Sequence, residues 1–324
     1  MSTIERTASR PLLDRLKGSQ NIVMALLLAC LVAFLTSTSN VFLTPTNLFS
    51  VGRQVSMNGL LAIGMTIVII GGGIDLSVGA VVAFVSVLVA LMAKSGMPAV
   101  VILPVALVAG GVLGTVNGTM VSKFGITPFI ATLATMSASR GAVLLISNGT
   151  PIDFPFDPII NFIGNGLLGP VPVPLIIFAL AAVVFHVVLG NTKFGLHVYA
   201  LGSSEEAARL SGVSTRFVQL MTYVVSGLLC AVAALILTAR VNSAQPTAGE
   251  LWELDAIAGA VIGGTSMTGG VGTITGTVLG VLVFGVIGNG LNLLNVPSYW
   301  QYVIRGVIIG VAVGIDVLRS RRTA

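Results

Sequence analysis

Long apolar runs recur along the whole chain, near residues 22–35, 55–71, 74–93, 98–121, 126–146, 172–190, 217–239, 254–264, 272–293 and 299–318. A helix needs about 20 predominantly apolar residues to cross the hydrocarbon core of a bilayer, and most of these runs approach that length. They are continuous rather than alternating, which argues against a β-barrel, whose strands read apolar and polar by turns. Only 8% of the residues are charged and 55% are hydrophobic, whereas soluble domains carry about 25% charge. No water-soluble surface can be built from that supply. The expected fold is all-α and integral to the membrane, with about ten transmembrane segments in a tightly packed bundle. The run at 254–264 is too short to cross unaided, so some segments are expected to be broken or re-entrant.

Residues 1–20 form a polar, basic tail, residues 21–318 a single transmembrane domain, and residues 319–324 a second short tail. The basic start followed by an apolar run has the outline of a signal peptide. No small-x-small cleavage site follows, and many further spans do, so the first run reads as an uncleaved helix. Lys and Arg concentrate on the cytoplasmic side of membrane proteins. With an even number of spans, one side collects Arg6, Arg10, Arg15, Lys17, Lys123, Lys193, Arg209, Arg216, Arg319, Arg321 and Arg322. The other side holds Arg53, Lys94 and Arg240. Both termini and the 191–216 loop are therefore expected in the cytoplasm, with the 147–171 and 241–253 loops outside. This bias also accounts for the net charge of +5, so no nucleic-acid partner is implied.

Glycine is patterned as well as abundant. Gly110, Gly114 and Gly118 fall four apart, as do Gly272, Gly276 and Gly280, and again Gly306, Gly310 and Gly314. Each set puts small residues on one helix face, where a neighbouring backbone can approach closely. Gly71-Gly72-Gly73 and Gly263-Gly264, followed by Gly269-Gly270, interrupt apolar runs at matching places in two halves. Laying Ala62 on Ala256 aligns LAIGMTIVIIGGG with DAIAGAVIGGTSM. Such paired interruptions mark discontinuous helices along a transport path, or tight turns between whole helices; the alignment does not choose between them.

The one long polar interruption in the later chain is Lys193–Arg216. Within it, Ser203 and Glu206 have capping-box spacing, good helix formers follow, and Gly212 stands where a left-handed cap would end the helix. A short surface helix of about two turns is expected, either an ordinary amphipathic loop or an element that pushes on a partner. Inside the apolar runs, Asp75 reads first as a cap for the third segment and second as a residue of ligand passage. Arg140 and Arg305 are close enough to segment ends to snorkel, and Asp255 and Asp316 lie at such ends.

Enzyme signatures are missing: there is no GxxxxGK[ST] loop, no GxSxG and no HExxH. Cys30 and Cys230 lie in apolar runs, and His186 and His197 have no partners at ligand spacing. No metal or cofactor is expected.

Several stretches together resemble the membrane permease subunit of bacterial monosaccharide ABC importers of the ribose type. They are GMTIVIIGGGIDLSVGA (64–80), TPFIATLATM (127–136), SNGTPI (147–152), TKFGLHVYALGSSEEAARLSGV (192–213), ARVNSAQPTAG (239–249), ELDAIAGAVIGGTSMTGGVGTITGTVLG (253–280) and NGLNLLNVPSYWQYVIRGVIIGVAV (289–313). The resemblance implies a permease in the bacterial inner membrane, working as a homodimer or as a heterodimer with a related permease. Two cytoplasmic ATP-binding subunits would dock on one face and a periplasmic sugar-binding protein on the other. It also implies that Gly202, Ser203, Glu205, Glu206, Ala207, Arg209, Leu210 and Gly212 form the segment that couples to the ATPase. A neutral, hydroxyl-rich cargo calls for amide and hydroxyl side chains more than charge, making Ser77, Asn117, Asn289 and Asn292 candidates for the translocation path, with Asp75 added as the residue of ligand passage. Three rival readings stand beside it: an ion-coupled secondary carrier, a passive channel or structural membrane module, and a permease of the same family for xylose, arabinose, galactose, galactofuranose or a furanosyl quorum signal.

Overall fold

The computed structural model describes residues 12–323, with side chains over 21–314. Asp316 and the tail cations therefore lie outside the described side chains. The first half runs through α1 (Leu12–Thr38), α2 (Pro45–Ile70), α3 (Val78–Lys94), α4 (Ala99–Ser122) and α5 (Pro128–Ser147). The segment that follows holds β1 (Ile152–Asp153), α6 (Pro158–Asn165), β2 (Leu167–Leu168) and β3 (Val171–Pro172). Then come α7 (Val173–Asn191), α8 (Lys193–Ser203), α9 (Glu205–Leu210), α10 (Thr215–Val241), β4 (Ser243–Ala244), α11 (Trp252–Ile262), α12 (Ile274–Leu293) and α13 (Ser298–Thr323). The strands form only two short ladders, β1 with β4 and β2 with β3, so the all-α expectation holds.

Among the described residues, seven helices are long and apolar enough to cross a membrane: α2, α4, α5, α7, α10, α12 and the 21–38 part of α1. Helix α3 is apolar but has 17 residues. Helix α11 has 11, about 16 Å at 1.5 Å per residue, so the short run at 254–264 is a broken element.

Helix α2 is the axis of the bundle. Its residues from Val55 to Ile70 are buried, except Asn58, which is partly so, because the segment is apolar all round and has no face suited to solvent or lipid. Helices α10, α11, α12 and α7 wrap it. Pro45 at its first turn and the Thr44 hydroxyl, which accepts from the Asn47 amide at 3.4 Å, fix where it starts.

Two glycine ladders close tightly. A methyl group on Gly110 would strike the Gly227 carbonyl, on Gly114 the Tyr223 carbonyl, and on Gly118 the Leu220 backbone, so α4 and α10 touch main chain to main chain. Gly276 and Gly280 meet Gly263 and Gly259 in the same way, joining α12 to α11. The third ladder departs from expectation: nothing lies within 4 Å of an added methyl on Gly306, Gly310 or Gly314. Spacing made that face small, but among the described residues nothing covers it.

The two glycine interruptions are the same turn. The amides of Gly71, Gly72 and Gly73 donate to the carbonyls of Ile67, Ile69 and Val68, and those of Gly263, Gly264 and Thr265 repeat the pattern with Gly259, Val261 and Ala260. Gly72 (φ 81°) and Gly264 (φ 95°) take the left-handed position of each cap. The correspondence pairs Gly71 with Gly263, so the sequence alignment that pairs Ala62 with Ala256 is out of register by two residues. Cap geometry sets the true register, and the aligned apolar letters do not encode it.

Candidate functional site

The polar stretch folds as two helices. Thr192 is extended (φ −119°, ψ 160°) and its hydroxyl accepts from the Gly195 amide at 3.3 Å, which ends α7 and starts α8. Ser204, also extended, ends α8 and caps α9, accepting from the Ala207 amide at 3.2 Å. The expected box between Ser203 and Glu206 is therefore not the cap. Ser203 is the last residue of α8 and donates to the Tyr199 carbonyl at 2.8 Å, so the cap moves one residue on and leaves alanine at the third position. Helix α9 spans six residues, close to the two turns expected. Its ends suit the helix dipole, with Glu205 and Glu206 in the first turn and Arg209 in the last. Gly212, at φ 82°, closes it in the left-handed cap.

Only Ala208 of α9 is buried, while Glu205, Glu206, Ala207, Arg209 and Leu210 are exposed. Leu210 is 77% exposed.

Beneath α9, the C-terminal end of α8 is wedged between the two glycine turns. The Gly270 amide donates to the Ile70 carbonyl at 2.9 Å, directly joining the two broken halves. A methyl on Gly202 would collide with both that carbonyl and that amide, and a methyl on Gly269 or Gly270 would collide with Gly202 or Ser203. From the middle of α8, the Tyr199 hydroxyl donates to the Gly272 carbonyl at 2.8 Å. Three stretches far apart in sequence thus meet backbone to backbone, and only glycine leaves room for it.

The second polar group surrounds the start of α3. One carboxylate oxygen of Asp75 accepts from the Ser77 hydroxyl at 2.6 Å and the Ser77 amide at 3.0 Å. The other accepts from the Ser226 hydroxyl of α10 at 2.8 Å. Asn117 of α4 donates to the Ser77 hydroxyl at 2.8 Å and, at a longer 3.4 Å, to Asp75. Asp75, Ser77 and Asn117 are buried. The capping expectation is corrected: the residue at the cap of α3 is Ser77, which makes no side-chain capping bond. Asp75 instead holds the Ser77 amide and hydroxyl just ahead of the helix, while two further helices are tied to the same group. These hydrogen bonds, about 0.5–1.5 kcal/mol each for an ordinary pair, tie α3, α4 and α10 together at this point.

The other two path candidates lie elsewhere. Asn289 exchanges hydrogen bonds with Asn47 (2.8 and 3.1 Å), joining α12 to the start of α2. Asn292 accepts from Gln301 at 2.9 Å, where α12 turns into α13. Neither meets the Asp75 group. Ser226, Asn47 and Tyr199 escaped sequence reading: Ser226 is one polar letter in the 217–239 run, and all three have a partner many residues away.

Two cations also differ from expectation. Arg140 does not snorkel: it donates to the Ala248 and Pro246 carbonyls at 2.6 and 3.2 Å. Arg305 pairs with Asp255 at 3.1 Å. Both are held by acceptors of the protein itself. Among the described residues no cluster of His, Cys, Asp and Glu could hold a metal ion.

Residues 47–313 match the family described as branched-chain amino acid transport system / permease component. The chain is 47% identical to the ribose import permease protein of Bacillus subtilis over 86% of its length and 87% of the relative's. It is 40% identical to the ribose import permease protein of Escherichia coli K12, over 92% and 93%, and 38% identical to that organism's D-allose transport system permease protein, over 91% of each. No solved structure matches significantly.

Proposed function

This chain belongs to the permease family of bacterial monosaccharide ABC importers of the ribose type, a multi-pass membrane transport subunit and not an enzyme, and from that membership we propose how it works. It forms the translocation path of an ATP-driven, binding-protein-dependent importer, and its cargo is ribose. The ribose relatives at 40–47% identity support that cargo over the 38% allose relative. Ten segments cross the inner membrane, including α3, the α11 half-helix with its turn, and α13. Both tails and the 191–216 loop lie in the cytoplasm, and the 147–171 and 241–253 loops lie in the periplasm. Two copies, or one copy and a related permease, stand on two ATPase subunits and receive sugar from a periplasmic binding protein.

The observation that carries the coupling mechanism is the junction of Ile70, Gly202 and Gly270. Glu205, Glu206, Ala207, Arg209 and Leu210 enter a groove of the ATPase, with Gly202, Ser203 and Gly212 setting the angle of α9. Displacement of α9 moves the end of α8, which is seated on both glycine turns, so both halves of the bundle feel it at once. Asp75, Ser77 and Asn117 hold the α2–α3 turn closed until that motion arrives, then face the path. Asn289 and Asn292 serve the path from the opposite end.

Gly202→Ala tests this directly in proteoliposomes containing the permease, its ATPase and its binding protein. ATP hydrolysis should persist while ribose import falls by an order of magnitude or more. Wild-type import by that variant overturns the junction mechanism. Ribose accumulation against a gradient by the permease alone would instead favour a secondary carrier.

A further inference from the structure

We propose that a recess formed by the 242–251 loop, the end of α10 and the start of α13 is a sugar-receiving subsite for a neutral monosaccharide. This rests on the periplasmic placement of that loop proposed above. The recess is half open, has a volume of about 390 Å³ and is lined by Ser243, Gln245, Thr247, Glu250, Trp252 and Tyr302 among others. That volume is in the range of small-molecule sites and leaves room for one monosaccharide with water.

Its chemistry suits a sugar. A pyranose or furanose has apolar C–H faces and a rim of hydroxyls. Trp252 and Tyr302 provide flat aromatic walls with a polar edge, one on α11 and one on α13. The Gln245 amide donates to the Ser243 hydroxyl at 2.9 Å, leaving the Gln245 carbonyl oxygen and the serine proton for a ligand. Among the described residues, the side chains of Thr247, Glu250, Trp252 and Tyr302 make no hydrogen bond. The wall therefore offers acceptors, donors and aromatic faces together, the mixture a polyhydroxylated ring satisfies and an acyl chain does not.

The recess is also built rather than incidental. Arg140 braces the loop through the Ala248 and Pro246 carbonyls, and β4 pairs with β1 through Ile152 and Ala244. Gly249 (φ 66°) is pressed against the Gly79 carbonyl of α3, where a side chain would collide. Asn242 (φ 53°) and Leu251 (φ 63°) bracket the loop in left-handed backbone, which costs a non-glycine residue about 1–3 kcal/mol and persists where the surroundings impose it. A loop held this firmly can present Ser243, Gln245, Thr247 and Glu250 in fixed positions beside Trp252 and Tyr302.

Trp252 and Trp300 are the two tryptophans of the chain, so Trp300→Phe leaves Trp252 as sole reporter. Full-length Trp300→Phe permease in nanodiscs, titrated with D-ribose, should give a saturable fluorescence change. Adding Gln245→Leu and Thr247→Val should abolish it. In the complete importer, Gln245→Leu with Thr247→Val should lower import about tenfold, one decade of lost affinity, while ATP hydrolysis stimulated by loaded binding protein persists. The subsite is overturned if ribose gives no saturable signal and the double variant imports normally. It is equally overturned if the variant instead weakens docking of sugar-free binding protein, since the recess would then hold a protein side chain. If the unmodified importer moves no sugar, the transport reading itself fails, and the nanodisc titration still decides whether the recess binds ribose.

Discussion

Helices α4 and α13 carry the same four-residue glycine ladder and meet opposite fates. Gly110, Gly114 and Gly118 lie against the backbone of α10 so closely that no other residue fits, whereas Gly306, Gly310 and Gly314 face open space. The difference teaches that spacing specifies a smooth helix face, while the partner depends on where the chain places another helix. Tight contact along α4 also has a second tie. Asn117 and Ser226, from the two sides of that seam, reach the same carboxylate or its serine partner. The α13 face has no such polar anchor within 4 Å of its glycines.

The largest effect should come from Gly114→Leu. Four added carbons would have to enter where one already collides, and overpacking costs about 1–3 kcal/mol or more even where side chains can shift. No folded, monodisperse permease is expected on size exclusion in detergent, and a normal elution profile would break the account of the seam. Gly276→Leu should act alike at the α11–α12 contact. Asp75→Ala comes next, because it strands the buried hydroxyls of Ser77 and Ser226. At about 1–3 kcal/mol for each stranded donor, a drop in thermal midpoint clear of scatter is expected. If Asp75→Ala proves harmless, glycine contact alone holds the seam. A loss of about 1 kcal/mol is expected for Ser204→Ala, the cost of an N-cap, seen as faster amide exchange confined to α9. Gly310→Ala should be the mildest, within about 0.5 kcal/mol in the isolated chain; a larger loss that appears only in the assembled importer would mean that another copy or subunit covers this face.

Much of the fold was readable because solvent transfer leaves few choices. Runs such as 217–239 can only be buried or lipid-facing, and α10 (Thr215–Val241) contains that run with its ends extended by two residues each. The polar site was readable in part. Asp75 stands two residues before Ser77 in the chain, so its place at the entry to α3 is local, although the cap position itself fell to Ser77, and the left-handed close of α9 at Gly212 follows from glycine alone. Ser226, 151 residues from Asp75, carries no local signal. The cap of α9 was misplaced for a different reason. Ser203 and Ser204 are chemically equal neighbours, and the length of α8, set by packing of Val198 and Leu201, decides which of them is left extended.

From its residues alone, this protein was bound to be a glycine-rich helical bundle in a membrane with an exposed polar segment after Lys193, because hydrophobic transfer and backbone caps act over a few residues at a time. Tertiary structure alone decided that Gly202 would rest on Ile70 and Gly270, that Arg140 would turn inward to the 246–248 carbonyls, and that one glycine ladder would stay open. Those outcomes depend on contacts across long stretches of chain, where a single carbon of clearance selects the partner.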